Sequence, residues 1–179
     1  MIIRQEIKTK RLLLRRPRTE DAEKIVSAIS KDVVRLMGGI PWPYRKNHAT
    51  DFINIDKKHW GKKGFNFVII FEEKIIGCIS LKSYSEKRRQ AQIGFWLGKD
   101  YWGQGIMTEA AKALLEFSFV DLNLVKVHSG ASPKNIGSWK VLDKIGMRRL
   151  CIMKKEYLTS LGKLEDMYYY EILKEEFNN

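Results

Sequence analysis

The sequence predicts a mixed α/β domain built on one largely antiparallel sheet. Three observations carry this. Two apolar runs, residues 65–71 (FNFVIIF) and 75–82 (IIGCISLK), are rich in β-branched and aromatic residues and are joined by a tight turn, so they form a hairpin. Runs with apolar residues three and four apart precede and follow them and read as helices. A third strand-like run, 91–97 (AQIGFWL), passes through the glycines Gly103 and Gly105 into a helical run and then another strand, which is a βαβ crossover. A doubly wound nucleotide domain would alternate strand and helix from the outset, and this chain does not.

Residues 10–16 (KRLLLRR) read as the first strand, closed by Pro17. Thr19 then serves as an N-cap, with Glu20, Asp21 and Glu23 in the first turn and Ala22, Ile25, Val26 and Ile29 on the apolar face. A short helix is expected over 32–37. Residues 38–44 (GGIPWPY) are a loop, because two glycines and two prolines exclude regular structure. The next helix is capped by Asn47 or Thr50, with Phe52, Ile53, Ile55 and Trp60 as its apolar positions. After the hairpin, a basic turn at 87–89 leads into a strand over 90–97. The helix beyond the glycines buries Ala110, Ala111, Ala113, Leu114, Phe117 and Val120. Residues 125–129 form a strand, 135–145 a helix closed by Gly146, and 149–157 and 167–173 two further strands. No repeat or linker divides the chain, so one domain over residues 1–179 is expected.

The 179 residues suffice for a sizeable core, and 44% hydrophobic with 30% charged residues is an ordinary globular balance. No apolar run approaches the ~20 residues that span a bilayer. Charges interrupt every apolar cluster of the opening MIIRQEIKTKRLLLRRP, which therefore lacks the centre of a signal peptide. A cytoplasmic location without membrane association is expected. Cys78 and Cys151 lie in apolar runs and read as reduced, buried thiols. His48, His59 and His128 share no ligand spacing, so no metal is expected. The net charge of +12 suits a polyanionic cofactor or partner, a nucleic acid met through a general basic surface, or simply a solvated basic exterior. A monomer or a homodimer fits equally well.

A strand, a glycine turn and a helix start make an anion site. Glycine permits the bend and a close approach, and the free N–H groups of the first helical turn point at the ligand. No GxxxxGK[ST] string is present, and Thr108 stands where a GxGxxG fingerprint needs its third glycine. Coenzyme A, with its pyrophosphate, is the third possibility. The segment IGFWLGKDYWGQGIMTEA resembles the acyl-CoA-binding segment of the GNAT superfamily of N-acetyltransferases, and more narrowly its RimJ/RimL-type branch. TKRLLLRRPRTEDAE, SPKNIGSWKVLDKIGM and KKEYLTSLGKLEDMYYYEIL resemble other segments of that branch, in the same order.

The resemblance implies a mostly antiparallel sheet with splayed central strands, flanked by helices, and acetyl-CoA as co-substrate. Backbone groups of Phe95, Trp96 and Leu97 would hold the pantetheine arm. Trp102, Gly103, Gln104, Gly105, Ile106, Met107 and Thr108 would form the pyrophosphate turn. Asn135 and Ser138 would face the thioester. Trp102 and Met107 depart from the superfamily's [QR]xxGx[GA] pattern; the Trp is normal in the branch, and the Met leaves its N–H available. Trp96 and Trp102 read equally as packing aromatics, Thr108 as a helix cap, and Glu109 as a complement to the helix dipole.

Acetyl transfer to an amine needs a base for the amine, polarisation of the carbonyl and a proton for the departing thiolate. By resemblance Glu156 is the base and Ser138 the proton donor. Leu142 stands where many superfamily members have a donor tyrosine. Against these, Glu156 reads as a partner of Lys154 or Lys155, and Ser138 as a helix hydroxyl bonded to the backbone. Gln92 occupies a position where the branch commonly has Glu, and an amide takes no proton at neutral pH. Asp166 would bind the substrate amine or the backbone, and Trp42 and Tyr44 would line the acceptor site or anchor packing. The acceptor implied is a primary amine, such as a protein N-terminus or a small molecule. A weakly catalytic ribosome- or RNA-binding module and an acyl-CoA sensor are the alternatives.

Overall fold

A computed structural model describes residues 3–159 and 162–177. Its centre is an eight-stranded sheet in the order β1-β2-β3-β4-β5-β6-β8-β7. The strands are β1 Glu6–Lys8, β2 Leu13–Arg15, β3 Phe65–Phe71, β4 Lys74–Ser85, β5 Gln90–Leu97, β6 Lys126–Ala131, β7 Arg148–Leu158 and β8 Leu164–Leu173. All neighbours pair antiparallel except β5 and β6. Helices α1 (Ala22–Ala28), α2 (Lys31–Arg35) and α3 (Lys46–His59) lie between β2 and β3. Helix α4 (Ile106–Glu116) joins β5 to β6, α5 (Ile136–Lys144) joins β6 to β7, and α6 (Lys174–Phe177) follows β8.

The period of two along each strand divides the sheet into two faces. Phe65, Phe67, Leu81, Ala91, Ile93, Val127 and Ile172 pack with Ala110, Ala111 and Leu114 of α4 and Leu142 of α5. Val68 and Cys78, on the opposite face, pack with Ala22 and Ile25 of α1 and Ala49 and Ile53 of α3. Two buried carboxylates fix the second layer. Asp21 accepts from Arg15 at 2.7 and 2.8 Å and from the Arg18 N–H at 2.7 Å. Asp56 accepts from Arg16 Nε at 2.8 Å and Asn66 Nδ2 at 3.0 Å. Each is essentially inaccessible to solvent and would be costly without these partners.

Several local expectations are corrected. The strand expected at 10–16 is the second arm of a hairpin: the Thr9 hydroxyl accepts from the Leu12 N–H at 2.9 Å, closing a turn after β1. Thr19 does not cap α1. It opens a 3₁₀ turn capped by Asp21, and its hydroxyl meets Lys57 Nζ at 2.6 Å. Helix α3 starts at Lys46, where the Arg45 N–H donates to His48 Nδ1. Ile55 and Val120 are exposed, Val120 because residues 117–121 widen into a π-helical turn after α4. Cys78 is buried as expected, but Cys151 is exposed on the edge strand β7.

Candidate active site

The parallel pairing of β5 with β6 covers three rungs, Gln90–Lys126, Ala91–Val127 and Gln92–His128. Beyond them the strands part. The Ser129 hydroxyl spans the start of the gap by donating to Ile93 O at 2.9 Å, in a buried setting. Phe95, Trp96 and Leu97 therefore keep one backbone edge free while pairing with Ile79, Cys78 and Gly77 of β4 on the other. A cleft of about 450 Å³ opens there, lined by Phe95, Trp96 and Leu97 on one side and by α5 on the other.

The turn at the end of β5 is shaped by two left-handed glycines, Gly103 (φ 76°) and Gly105 (φ 74°). At neither would a Cβ find anything closer than ordinary contact, so backbone conformation, not space, calls for glycine. Gly105 is the N-cap of α4 and has no side chain to offer, so the Ile106, Met107 and Thr108 N–H groups reach the cleft mouth uncapped. Trp102 Nε1 donates to Leu97 O at 2.8 Å and locks the turn onto the strand. Gln104 turns away from the cleft: its side-chain Nε2 donates to Asp100 O at 2.9 Å, and its backbone carbonyl accepts from Arg11 at 3.2 Å. Thr108 lines the cleft and is not the cap. Glu109 accepts from Thr9 Oγ1 (2.7 Å), the Arg11 N–H (2.9 Å) and Arg11 Nε (2.7 Å). Partial burial works against its charge, but these donors hold its carboxyl below the usual range. Its role is to tie the β1–β2 turn to the first turn of α4, which is more than complementing a dipole.

Asn135 and Ser138 sit together at the start of α5, on the cleft wall. Asn135 bonds on both sides: Oδ1 accepts from the Ser138 N–H at 3.1 Å, and Nδ2 donates to Leu36 O at 3.2 Å. Tyr157 Oη also donates to Leu36 O, at 3.1 Å, so one carbonyl after α2 joins α5 and β7. The Ser138 hydroxyl has no hydrogen-bond partner among the described residues and is not bonded to a helix carbonyl. Glu156 is exposed on β7, outside the residues that line the cleft, and makes no ion pair among the described residues. Lys154 instead pairs with Asp166 at 2.9 Å, and the Lys155 N–H donates to the same carboxylate at 3.1 Å, stabilising a bulge in which Lys155 has φ 53°. Asp166 thus bonds backbone and lysine, with its carboxyl held low by them. Tyr44 is a packing residue, its phenol pushed up to about 12 by burial first, then by Cys78 and Asp51, while Trp42 is exposed.

The sequence reading missed part of the lining. Val33, Leu36 and Met37 close the cleft from the α2 side, and Lys140 and Lys144 project into it one helical turn apart. The four-residue spacing of these lysines after NIGS was a readable signal; the contribution of α2 had none.

An acetyltransferase (GNAT) domain model matches residues 11–148. The chain belongs to the GNAT family and is an acetyltransferase that uses acetyl-CoA. It is 34% identical to the uncharacterized N-acetyltransferase YnaD of Bacillus subtilis (strain 168), over 96% of this chain and 99% of that one. Identity to the putative ribosomal N-acetyltransferase YdaF of the same organism is 26%, over 88% of each. The crystal structure of a GNAT-family acetyltransferase from Bacillus anthracis superposes with a TM-score of 0.82 at 30% identity, covering 96% of this chain and 99% of that one.

Proposed function

We propose that this acetyltransferase acts on a primary amine, with a protein N-terminus as the favoured acceptor, by direct attack in a ternary complex. The parted strands β5 and β6 are the observation that carries this reading. A pantetheine arm laid along Phe95–Leu97 would take up the free backbone groups as a third strand does. The uncapped N–H groups of Ile106, Met107 and Thr108 would hold the pyrophosphate, with the turn Trp102–Gly105 shaping the cradle. Lys140 and Lys144 add positive charge along the same cleft.

Since the pyrophosphate sits where β5 ends, the thioester falls at the closed end of the split, near Gly94 and α5. Ser138, its hydroxyl free, would protonate the departing thiolate. Glu156, exposed and unpaired, would act on the amine only through water. Neither cysteine fits a covalent route: Cys78 is buried with its thiol pushed far up by burial, and Cys151 lies on the sheet edge. YdaF, by its name a putative ribosomal acetyltransferase, supports a protein acceptor.

A panel of amines with acetyl-CoA, read by release of free thiol, tests the reading. Transfer to at least one α-amine is expected, together with a rise in melting temperature on adding acetyl-CoA. A melting shift without thiol release from any amine would identify an acyl-CoA sensor. Salt-sensitive RNA binding with neither effect would identify a binding module.

A further inference from the structure

Lys82 of β4, Gln92 of β5, His128 of β6 and Glu171 of β8 are successive register partners, forming one row across four strands. Their neighbours Leu81, Ala91, Ile93, Val127 and Ile172 point into the core beneath α4 and α5, so the row lies on the opposite face. It is also the last row before β5 and β6 part. The next residues on this face are Gly94 and Gly130, on either side of the opening. A thioester held as described above would end beside this row.

Its members are not equivalent. Lys82 is a cation, Gln92 a neutral amide, and Glu171 is paired with Lys126 at 3.5 Å. His128 remains. Its Nδ1 is buried without a hydrogen-bond partner, alone in this among the described side chains. Its Nε2 also makes no hydrogen bond among the described residues, yet is not buried. The ring stacks on Tyr169 at 5.7 Å and 27°, and Tyr169 is the β8 partner of Gly130, so the imidazole is braced against β8 and set one rung along β6, toward the end where the strands part. A buried polar atom left unpaired is destabilising and calls for a reason.

We propose that His128 is a catalytic residue that takes the proton of the acceptor amine, the task that Gln92 cannot perform. This rests on the acetyl-transfer reading above and moves the base from Glu156, which the family resemblance implied, to the imidazole. The acceptor arrives as an ammonium. One N–H proton passes to Nε2, and the freed lone pair forms the C–N bond at the thioester carbonyl. The C–S bond then breaks, the second proton leaves nitrogen, and the thiolate gains a proton through Ser138 or water. His128 returns its proton to solvent. Ammonium and thioester thus give amide, thiol and one released proton.

The groups facing the imidazole are Lys126 on its own strand, Glu171 and Tyr169 on β8, Gln92 on β5 and Lys82 on β4. Burial first, then Lys126, lowers its affinity for a proton, and Glu171 partly offsets them. The ring is therefore neutral at pH 7 and ready to accept. Such a base matches an α-amine, with an ordinary pKa near 8, better than an alkylamine near 10.4. The gap corresponds to roughly 300-fold in free-amine fraction at neutral pH. This favours protein N-termini over polyamines.

The test measures kcat against pH at saturating acetyl-CoA and acceptor, with the His48, His59 and His128 rings followed by NMR. The activity of the wild-type protein should rise through an acid limb whose midpoint is that of His128. His128→Asn should abolish this limb and lower kcat about 100-fold or more, with the KM for acetyl-CoA unchanged. His128→Gly should regain turnover when imidazole is added. Glu156→Gln should keep the limb at the same pH, whatever its rate. Loss of the limb in Glu156→Gln, or its survival in His128→Asn, would overturn the assignment. Should the His128 variants fail to fold, a mismatch between the wild-type limb and the His128 titration overturns it alone. Absence of transfer to any amine would instead sink the acetyl-transfer reading itself.

Discussion

Single residues decide the shape of the glycine turn after β5. Gly103 and Gly105 were legible because a positive φ is a demand that the residue type itself meets. Alanine at either position is expected to cost about 1–2 kcal/mol in urea unfolding, since space is open and only the left-handed backbone is penalised. Acetyl-CoA affinity should fall with it. Trp102 was legible as an aromatic near the turn, but not as the clamp it is, because one indole N–H on Leu97 O leaves no mark in a sequence. Trp102→Phe should lower stability by about 1 kcal/mol and weaken acetyl-CoA binding by isothermal titration, while the fold persists. Leu36 shows the limit of reading residues one by one. Its carbonyl, shared by Asn135 and Tyr157, does work that any residue type would supply.

Elements were legible where periodicity ran long and were misread where a side chain punctuated them. The hairpin β3–β4 and helices α4 and α5 follow their apolar patterns. The pattern of residues 10–16 shows only the second arm of the β1–β2 hairpin, because β1 is three residues long and its turn is closed by the hydroxyl of Thr9, which carries no turn signature of its own. The junction of β2 with α1 rests on Asp21. Burial alone would raise its carboxyl, but the Arg15 and Arg18 donors prevail and hold it below the usual range. A carboxylate lowered on folding stabilises the fold above its unfolded value, near 3.9, and that contribution is lost as pH falls through the lower folded value. Asp21→Asn should therefore cost about 3 kcal/mol at pH 7, by leaving Arg15 unpaired, and clearly less near pH 2. Urea titrations of both proteins at the two pH values check this.

At the scale of the molecule, the excess of positive charge is spread over the chain, yet Lys140 and Lys144 bring part of it to the cleft. Acetyl-CoA affinity is expected to fall as ionic strength rises from low to physiological, because the screening length shrinks to about 8 Å. A flat salt series would remove these lysines from cofactor capture. The row from Lys82 to Glu171 belongs to this scale as well. Its members are far apart in the chain and become neighbours only through strand register, so no local motif announces them.

The short parallel pairing of β5 with β6 has a further consequence. Five strands lie on one side of it and three on the other. Between the strands themselves the two leaves share three rungs and the Ser129 bridge, and Arg89, just before β5, adds hydrogen bonds to Val125 and Asn123 at the closed end. A cofactor seated as proposed would thus act as the missing spine of the fold. Without it, amide hydrogens along the far ends of β5 and β6 should exchange rapidly with deuterated solvent. With it bound, both leaves should gain protection together and unfold as one cooperative unit.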